Sequence, residues 1–207
     1  MGRTERRSHP VRRWRAMIKP IIEEENFSGI NFTQETLRKG EYESCTFTNC
    51  DFSNLHLSNF VFVECEFEDC NLSNVKLSNT AMKHIKFINC KLLGVNFGEC
   101  SPFLFSVSFE DCFLHLAGFY KLKMKGTKFR NCNLKEADFT ETDLTSVVFE
   151  NCEFVSAVFE RTILEKADLR TSQNFSIDPE LNRIKKARFS LNNVRGLLDK
   201  YNIDIEN

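Results

Sequence analysis

The side chains with the greatest chemical potential in this 207-residue sequence are its nine cysteines. Six of them recur every 20 residues, or 22 at one step: Cys50, Cys70, Cys90, Cys112, Cys132 and Cys152. Thiolates in such a column could bind metals or form a redox array, whereas buried thiols are inert and pack as small apolar groups. Metal sites usually combine ligands from several directions with histidine or carboxylate nearby, so the regular column favours the structural interpretation and predicts no metal or other cofactor.

The other reactive residues are scattered along the chain. The four histidines fall on the N-terminal tail and on three different faces of the repeat pattern described below: His9, His56, His84 and His115. None of them is therefore placed to activate a cysteine or serine nucleophile. The acidic run that contains Glu66, Glu68 and Asp69 is typical of a solvated face rather than of paired catalytic carboxylates. No glycine-rich phosphate loop is present in the sequence, and we expect no catalytic residues and no enzyme activity.

A period of five residues positions nearly every large apolar side chain. Every fifth residue from Phe27 to Phe97 is large and apolar. The register then slips by two residues and continues without exception from Leu104 to Leu169. The position two residues earlier holds smaller side chains, including eight cysteines, and polar residues dominate the other three positions. A period of five fits neither an α-helix nor a flat strand, and it predicts a chain that turns a corner every five residues.

A second period of 20 residues shows how these repeats stack. Phenylalanine recurs at every fourth repeat in one column: Phe27, Phe47, Phe67, Phe87, Phe109, Phe129 and Phe149. The six regularly spaced cysteines form the neighbouring column, and each follows an Asn or Asp, residue types that hydrogen-bond local turns. We therefore predict that the phenylalanine and cysteine columns form the core of a coil with four repeats per turn.

Three aromatic residues fall outside this core pattern. They flank the two-residue slip and lie at positions that the five-residue register directs outward: Phe103, Phe105 and Phe113. Exposed aromatic side chains can mark a site for a partner. Alternatively, the insertion folds them over the edge of the coil.

The repeat resembles that of the pentapeptide-repeat family, whose pattern is Ala, then Asp or Asn, then Leu or Phe, then two variable residues. Residues 137–141 (Ala-Asp-Phe-Thr-Glu), 167–171 (Ala-Asp-Leu-Arg-Thr) and 70–74 (Cys-Asn-Leu-Ser-Asn) match this pattern closely. The resemblance covers roughly residues 25–173. It implies an all-β fold, a right-handed quadrilateral parallel β-helix of about seven coils, followed by a short C-terminal helix and strand.

The sequence divides into three segments. Residues 1–19 are basic with a net charge of +6, residues 20–176 hold the repeats, and residues 177–207 have a different pattern. The basic segment is a nucleic-acid-binding arm or a disordered leader, and translation from Met17 would remove most of it. The sequence contains neither an apolar run of about 18 residues nor the apolar core of a signal peptide, so we expect a cytoplasmic protein with reduced thiols and no membrane contact.

The C-terminal segment is predicted to close one end of the solenoid. A short amphipathic helix with Ser190 as its N-cap would place five side chains on one side: Leu191, Val194, Leu197, Leu198 and Tyr201. Ile203 and Ile205 would then alternate in a brief strand. The order and spacing resemble the end of the Qnr-type quinolone-resistance proteins, where this segment joins two monomers. The resemblance implies a homodimer through these five residues, and a simple plug is the alternative.

The same resemblance implies a function. Qnr-type proteins are acidic rods that mimic DNA, bind DNA gyrase and topoisomerase IV, and reduce quinolone susceptibility. The repeat face with the phenylalanine column has a net charge of −4, against −1, 0 and −1 for the others, mainly from Glu66, Glu68, Asp69, Glu110 and Asp111. This acidic stripe is the predicted partner site, although the extended loops of the Qnr type have no counterpart in the sequence. The alternative is a general protein-binding scaffold with another partner, and neither reading requires a small-molecule substrate.

Overall fold

The computed structural model describes residues 19–206, so nearly all of the predicted basic leader lies outside the described residues. The chain winds into four-walled coils, and one wall, called the first wall, contains seven strands: β2 (Asn26–Ser28), β4 (Thr46–Thr48), β6 (Glu66–Glu68), β8 (Ile85–Ile88), β9 (Val107–Glu110), β10 (Lys128–Arg130) and β11 (Val148–Glu150). They form one parallel sheet in the order β11-β10-β9-β8-β6-β4-β2, with one strand from each coil.

The fourth wall, which immediately precedes the first along the chain, begins as a second parallel sheet in the N-terminal half. Its strands are β1 (Ile21–Glu23), β3 (Glu41–Glu43), β5 (Val61–Val63) and β7 (Ala81–Lys83), paired in the order β1-β3-β5-β7. The second and third walls, which follow the first along the chain, are turns joined by single parallel bridges such as Asn71 to Lys91 and Gly118 to Asp138. This all-β parallel solenoid confirms the predicted fold class. Within residues 19–206, no helix is long and apolar enough to cross a membrane.

The phenylalanine column forms a continuous stack inside the first wall. Phe47 pairs in register with Phe67 and Phe67 with Phe87, and Phe87 pairs with Phe109 across the two-residue slip. Ring centroids of consecutive members from Phe27 to Phe149 are 4.8 to 5.4 Å apart, which is close to the spacing between strands. All members are buried except Phe27, in the first described coil, which is partly buried. The stack therefore runs the length of the core.

The small inward residues have a second role besides filling space. The Cys70 thiol donates to the carbonyl oxygen of Phe47 in the preceding coil at 3.3 Å, and Cys90 donates likewise to Phe67 at 3.2 Å. At the equivalent position of another corner, the Thr80 hydroxyl donates to the carbonyl of Leu57 at 2.7 Å. Unpaired carbonyls are unfavourable in a dry interior, so a small side chain with a donor suits these sites. Cysteine and threonine are thus used as compact hydrogen-bond donors.

The corners of the coils place one residue of almost every repeat in the left-handed region, at φ values between 49° and 64°. Among residues 19–206, twelve of the 26 non-glycine residues with positive φ are Asn or Asp, which tolerate this conformation best and explain the asparagine-rich composition. The residues before the cysteines occupy these corners. Instead of bonding the local turn as predicted, they bond along the axis: the Asn131 side chain donates to Asp111 at 2.9 Å, and Asn151 donates to Asn131 at 3.2 Å.

One corner carries a residue poorly suited to it. Leu116 has φ = 59° and an exposed side chain, and the left-handed region disfavours a leucine by about 1–2 kcal/mol. We expect Leu116→Asn to raise the free energy of unfolding by about 0.5–1 kcal/mol, measured by urea denaturation. Leu93→Asn is the matched control, since Leu93 is also exposed on the second wall but lies outside the positive-φ positions. Equal effects of the two substitutions would contradict the conformational explanation.

The two-residue slip forms a bulge in the fourth wall. The main-chain ladder is intact on both sides of it, where the Ser101 amide donates to Thr80 and the Ser106 amide to Met82, each at 2.9 Å. Between these anchors Leu104 turns into the left-handed region and is 56% exposed, whereas Phe105 is buried. The predicted inward Leu104 and outward Phe105 are therefore both wrong, because the extra residues shift which side chain faces the core.

The C-terminal segment lies over the last coil. Phe175 and Ile177 are buried, and the Asn193 amide group donates to the carbonyls of Leu169 at 2.8 Å and Ser172 at 2.9 Å. Gly196 packs so closely against the main chain of Phe175 that there is no space for a Cβ. The segment thus covers apolar side chains and main-chain groups at this end of the solenoid.

The predicted helix and strand differ from the structure. Two short 3-10 helices, Val194–Leu197 and Asp199–Tyr201, replace the amphipathic α-helix, and Asn193 rather than Ser190 is the N-cap residue of the first. Ile203 and Ile205 form no strand within the described chain, where both are exposed. Alternating apolar residues alone did not create a strand here because no sheet edge pairs with them.

Candidate protein-binding surface

The predicted acidic stripe lies on the outer surface of the first wall but includes basic residues. Lys86 on β8 is in register with Glu66 on β6, and their charged groups are 3.3 Å apart. Arg130 lies between Glu110 at 3.0 Å and Glu150 at 3.2 Å, and these hydrogen bonds raise the pKa of its guanidinium group. Exposed pairs of this kind contribute little stability. Their effect is to alternate the charge along the rod.

The carboxylates at the edge of this wall belong to the corner ladder. Asp69 accepts a hydrogen bond from the Asn89 side chain, and Asp111 accepts one from Asn131. Seven strands at about 4.8 Å span about 29 Å, a length in which B-DNA carries about 17 charges. The first wall carries a net charge of only −4 between residues 25 and 171. The structure therefore brings the five predicted stripe residues onto one wall, at a charge density well below that of DNA.

The excess acid is concentrated at the N-terminal end of the rod. Residues 19–65 contain eight acidic and three basic residues, a net charge of −5, out of −6 for all described residues. All fourteen ion pairs among residues 19–206 lie between Glu66 and Lys200. The net charges of the four repeat faces do not show this difference between the two ends, whereas the net charges of successive coils do, and both follow from the sequence alone.

Four apolar side chains at the middle of the rod are each at least 40% exposed. Leu93, Phe113 and Leu116 belong to the second wall and Tyr120 to the third, and we call these four residues the central patch. A shallow groove that contains Asp69, Asn71 and Lys91 leads to it along the corner of the first and second walls. Phe113 is outward as predicted, and so is Phe103 on the distant bulge. The other three members were missed, although they stand at outward positions of the five-residue register.

The nine cysteines and the three histidines among residues 19–206 form no arrangement suited to nucleophilic catalysis. All nine cysteines are buried and unbridged, and burial raises the pKa of the Cys65 thiol and of the Cys100 thiol to about 12. Such thiols carry almost no thiolate at neutral pH and are poor nucleophiles. Across residues 19–206, no three His, Cys, Asp or Glu side chains are grouped to hold a metal ion. His84 contacts Ser106 at 3.4 Å and His115 contacts Glu136 at 3.5 Å, on different walls.

The residues predicted at the dimer interface have different environments. Leu197 packs against the core, whereas Leu191 is 94% exposed and Tyr201 is 53% exposed. Val194 and Leu198 are each 37% exposed. The segment therefore covers the last coil with one residue of the set and leaves the others on its outer side.

The repeat pattern matches known families. A family model described as a pentapeptide repeat region matches residues 41–102, and one described as pentapeptide repeats (8 copies) matches residues 132–170. It is a pentapeptide-repeat protein. A comparison of this pentapeptide-repeat protein with curated proteins found no match.

Solved structures share its solenoid. A trypsin-treated form of QnrB1, described as a plasmid-mediated fluoroquinolone resistance protein, is 18% identical, with a TM-score of 0.58 over 88% of this chain and 99% of that one. Full-length QnrB1 gives a TM-score of 0.50 over 89% and 100% of the two chains, also at 18% identity. HetL, a pentapeptide-repeat protein involved in heterocyst differentiation regulation in the cyanobacterium Nostoc, is 15% identical with a TM-score of 0.38 over 81% and 86%. At 18% identity the likeness to the two QnrB1 structures shows the fold.

Proposed function

We propose that this pentapeptide-repeat protein is a non-enzymatic, cytoplasmic rod that binds DNA gyrase or topoisomerase IV in place of DNA and thereby reduces quinolone susceptibility. The observation that carries the proposal is the arrangement of Glu66, Glu68, Asp69, Glu110 and Asp111 on one straight wall of a narrow solenoid. A basic DNA-binding channel would attract such a surface. The likeness in fold to QnrB1 over nearly the whole length of both chains supports the same proposal.

The DNA-mimic proposal predicts a response in a supercoiling assay. We expect the purified protein at micromolar concentration to restore DNA supercoiling by gyrase in the presence of ciprofloxacin. Replacing three carboxylates of the acidic stripe (Glu66→Gln, Glu68→Gln and Asp69→Asn) should raise the required concentration about tenfold, since three interfacial charges contribute about 1.4 kcal/mol together. The control removes three acids from the second and third walls: Glu136→Gln, Glu141→Gln and Glu160→Gln. A flat response of the unmodified protein would overturn the proposal.

The proposal includes a homodimer through the C-terminal segment. Leu191, Leu198 and Tyr201 leave apolar surface on the outer side of this segment, and burial of such surface would favour association. Sedimentation equilibrium measures the mass directly. A monomer at micromolar concentration would contradict the dimer and would indicate that the segment only closes the end of the solenoid.

The central patch favours a second candidate, a scaffold that binds a different protein. Aromatic side chains are enriched at protein interfaces, and the exposed Phe113 shares the second wall with the exposed Leu93 and Leu116. If this candidate is correct, Phe113→Ser together with Leu93→Ser should release the dominant partner in a pull-down from the host cell, while the stripe variant retains it. Capture of a topoisomerase through the stripe instead would exclude it.

A further inference from the structure

The two ends of the solenoid are covered unequally by the described chain. At the C-terminal end, Phe175 and Phe189 pack together with ring centroids 5.5 Å apart, under the segment that continues to residue 206. At the N-terminal end, β1 and β2 are the edge strands of their sheets. Four inward residues of this first coil, which we call the N-terminal mouth, are only partly buried: Ile22, Phe27, Ile30 and Leu37. Their equivalents in the next coil, Tyr42, Phe47, Cys50 and Leu57, are all buried. An open β-solenoid end leaves apolar surface and unpaired main-chain groups.

The surface beside the N-terminal mouth is acidic, and four of its glutamates have no ion-pair partner in the described chain. Glu23 and Glu43 are adjacent on β1 and β3, and Glu24 and Glu41 flank them. None of these four carboxylates lies within 4.0 Å of a basic group among residues 19–206. The net charge of residues 19–65 is −5, as noted above, so like charges repel one another at this end.

The preceding residues have the complementary chemistry. Residues 1–18 contain six arginines and one glutamate, a net charge of +5 that balances the −5 of residues 19–65. They also include Trp14, the only tryptophan of the protein, followed by Met17 and Ile18. We propose that residues 1–18 cover the N-terminal mouth, with these three apolar side chains on Phe27, Ile30 and Leu37 and the arginines beside the four glutamates.

The connection of the chain allows this arrangement. Pro20 lies at the mouth, since its carbonyl accepts a hydrogen bond from the Glu41 amide at 2.9 Å. Four extended residues reach at most about 14 Å, which is enough for Trp14 to cross a mouth where the Phe27 ring lies 6.0 Å from Tyr42 and 6.2 Å from Phe32. The proposal concerns which residues cover the N-terminal mouth, and it does not rest on the proposed function.

Trp14 reports on the proposal directly because no other indole contributes to the fluorescence of the full chain. In the folded protein we expect blue-shifted emission and an acrylamide quenching constant about threefold below that of the urea-unfolded chain, as for a mostly buried tryptophan. About 0.5 M NaCl should raise the constant, since salt screens the ion pairs. A native quenching constant equal to that of the unfolded chain would overturn the proposal.

Two matched double variants test the contacts between the arginines and the glutamates, and dilution tests whether residues 1–18 or a second copy of the protein covers the N-terminal mouth. Glu24→Gln with Glu43→Gln should raise the quenching constant at least about twofold towards the unfolded value, because it removes two of the counter-charges. Glu136→Gln with Glu153→Gln changes the net charge equally at a distant site and should leave quenching unchanged. Equal responses of the two pairs would overturn the ionic contact. Protection of Trp14 that disappears on dilution, together with a dimer in sedimentation, would show that a second copy covers the mouth and would also overturn the proposal.

Discussion

Replacing Phe129 by alanine is expected to lower the free energy of unfolding by about 3–5 kcal/mol, the usual loss for a buried phenylalanine. Phe129 is fully buried, with parallel rings on both sides at 5.0 Å (Phe109) and 4.9 Å (Phe149). Phe119 and Phe139 approach it edge-on from the third wall at 5.9 and 6.3 Å. The substitution therefore removes aromatic contacts in four directions and leaves a cavity within a continuous stack. Urea denaturation followed by circular dichroism measures the loss.

Two controls separate this effect from a general sensitivity of the strand. Lys128→Ala changes an exposed side chain of β10 and should alter stability by less than about 0.5 kcal/mol. Phe129→Leu should lose less than Phe129→Ala, because leucine already occupies the equivalent site at Leu169, where it is buried. In a solenoid, each coil contacts mainly its neighbours. A Phe129→Ala protein as stable as the Lys128→Ala protein would contradict the stacked core described above.

The fold was accessible from the sequence because the solenoid repeats one local rule. Each repeat has one large and one small inward position, so the apolar pattern alone locates Phe47 beside Phe67 and Cys70 beside Cys90. The rule fails where the spacing changes. Counting back from Phe109 in fives selects Leu104 as inward, but the bulge redistributes two extra residues and buries Phe105 instead. A five-residue pattern does not determine which residues of an insertion turn outward and which one faces the core.

The outer surface was less accessible than the core. Neutralisation of Glu66 by Lys86 and of Glu110 by Arg130 follows from the 20-residue spacing of these pairs, and a search for opposite charges one coil apart would have found both. The conformation of residues 190–206 had no comparable signal. Its short 3-10 helices are set by contacts such as that of Gly196 with Phe175, which are tertiary and leave no periodicity in the sequence.

Because three ionisable groups are buried, we expect the free energy of unfolding to fall steeply at alkaline pH. Burial raises the pKa of Tyr42, Cys65 and Cys100 to about 12 each. In the unfolded chain the two thiols titrate near pH 8.5 and the phenol near pH 10. The folded state therefore retains protons that the unfolded state releases, so these groups stabilise the fold fully below about pH 8.5 and their contribution is lost as the pH rises towards 12.

The expected size follows from the two cysteines. Each raised thiol contributes about 1.4 kcal/mol per pH unit above pH 8.5, so Cys65 and Cys100 together should lower the free energy of unfolding by about 5 kcal/mol between pH 8 and 10.5. Replacing both by serine removes the titration and keeps a small donor, a type that Ser172 already provides by donating to the Phe149 carbonyl at 3.0 Å. Urea midpoints at the two pH values, under reducing conditions, should therefore fall much less for the double variant. Since lysine deprotonation affects both proteins equally, parallel losses would show that the two thiols titrate as in the unfolded chain and that water reaches the small inward residues.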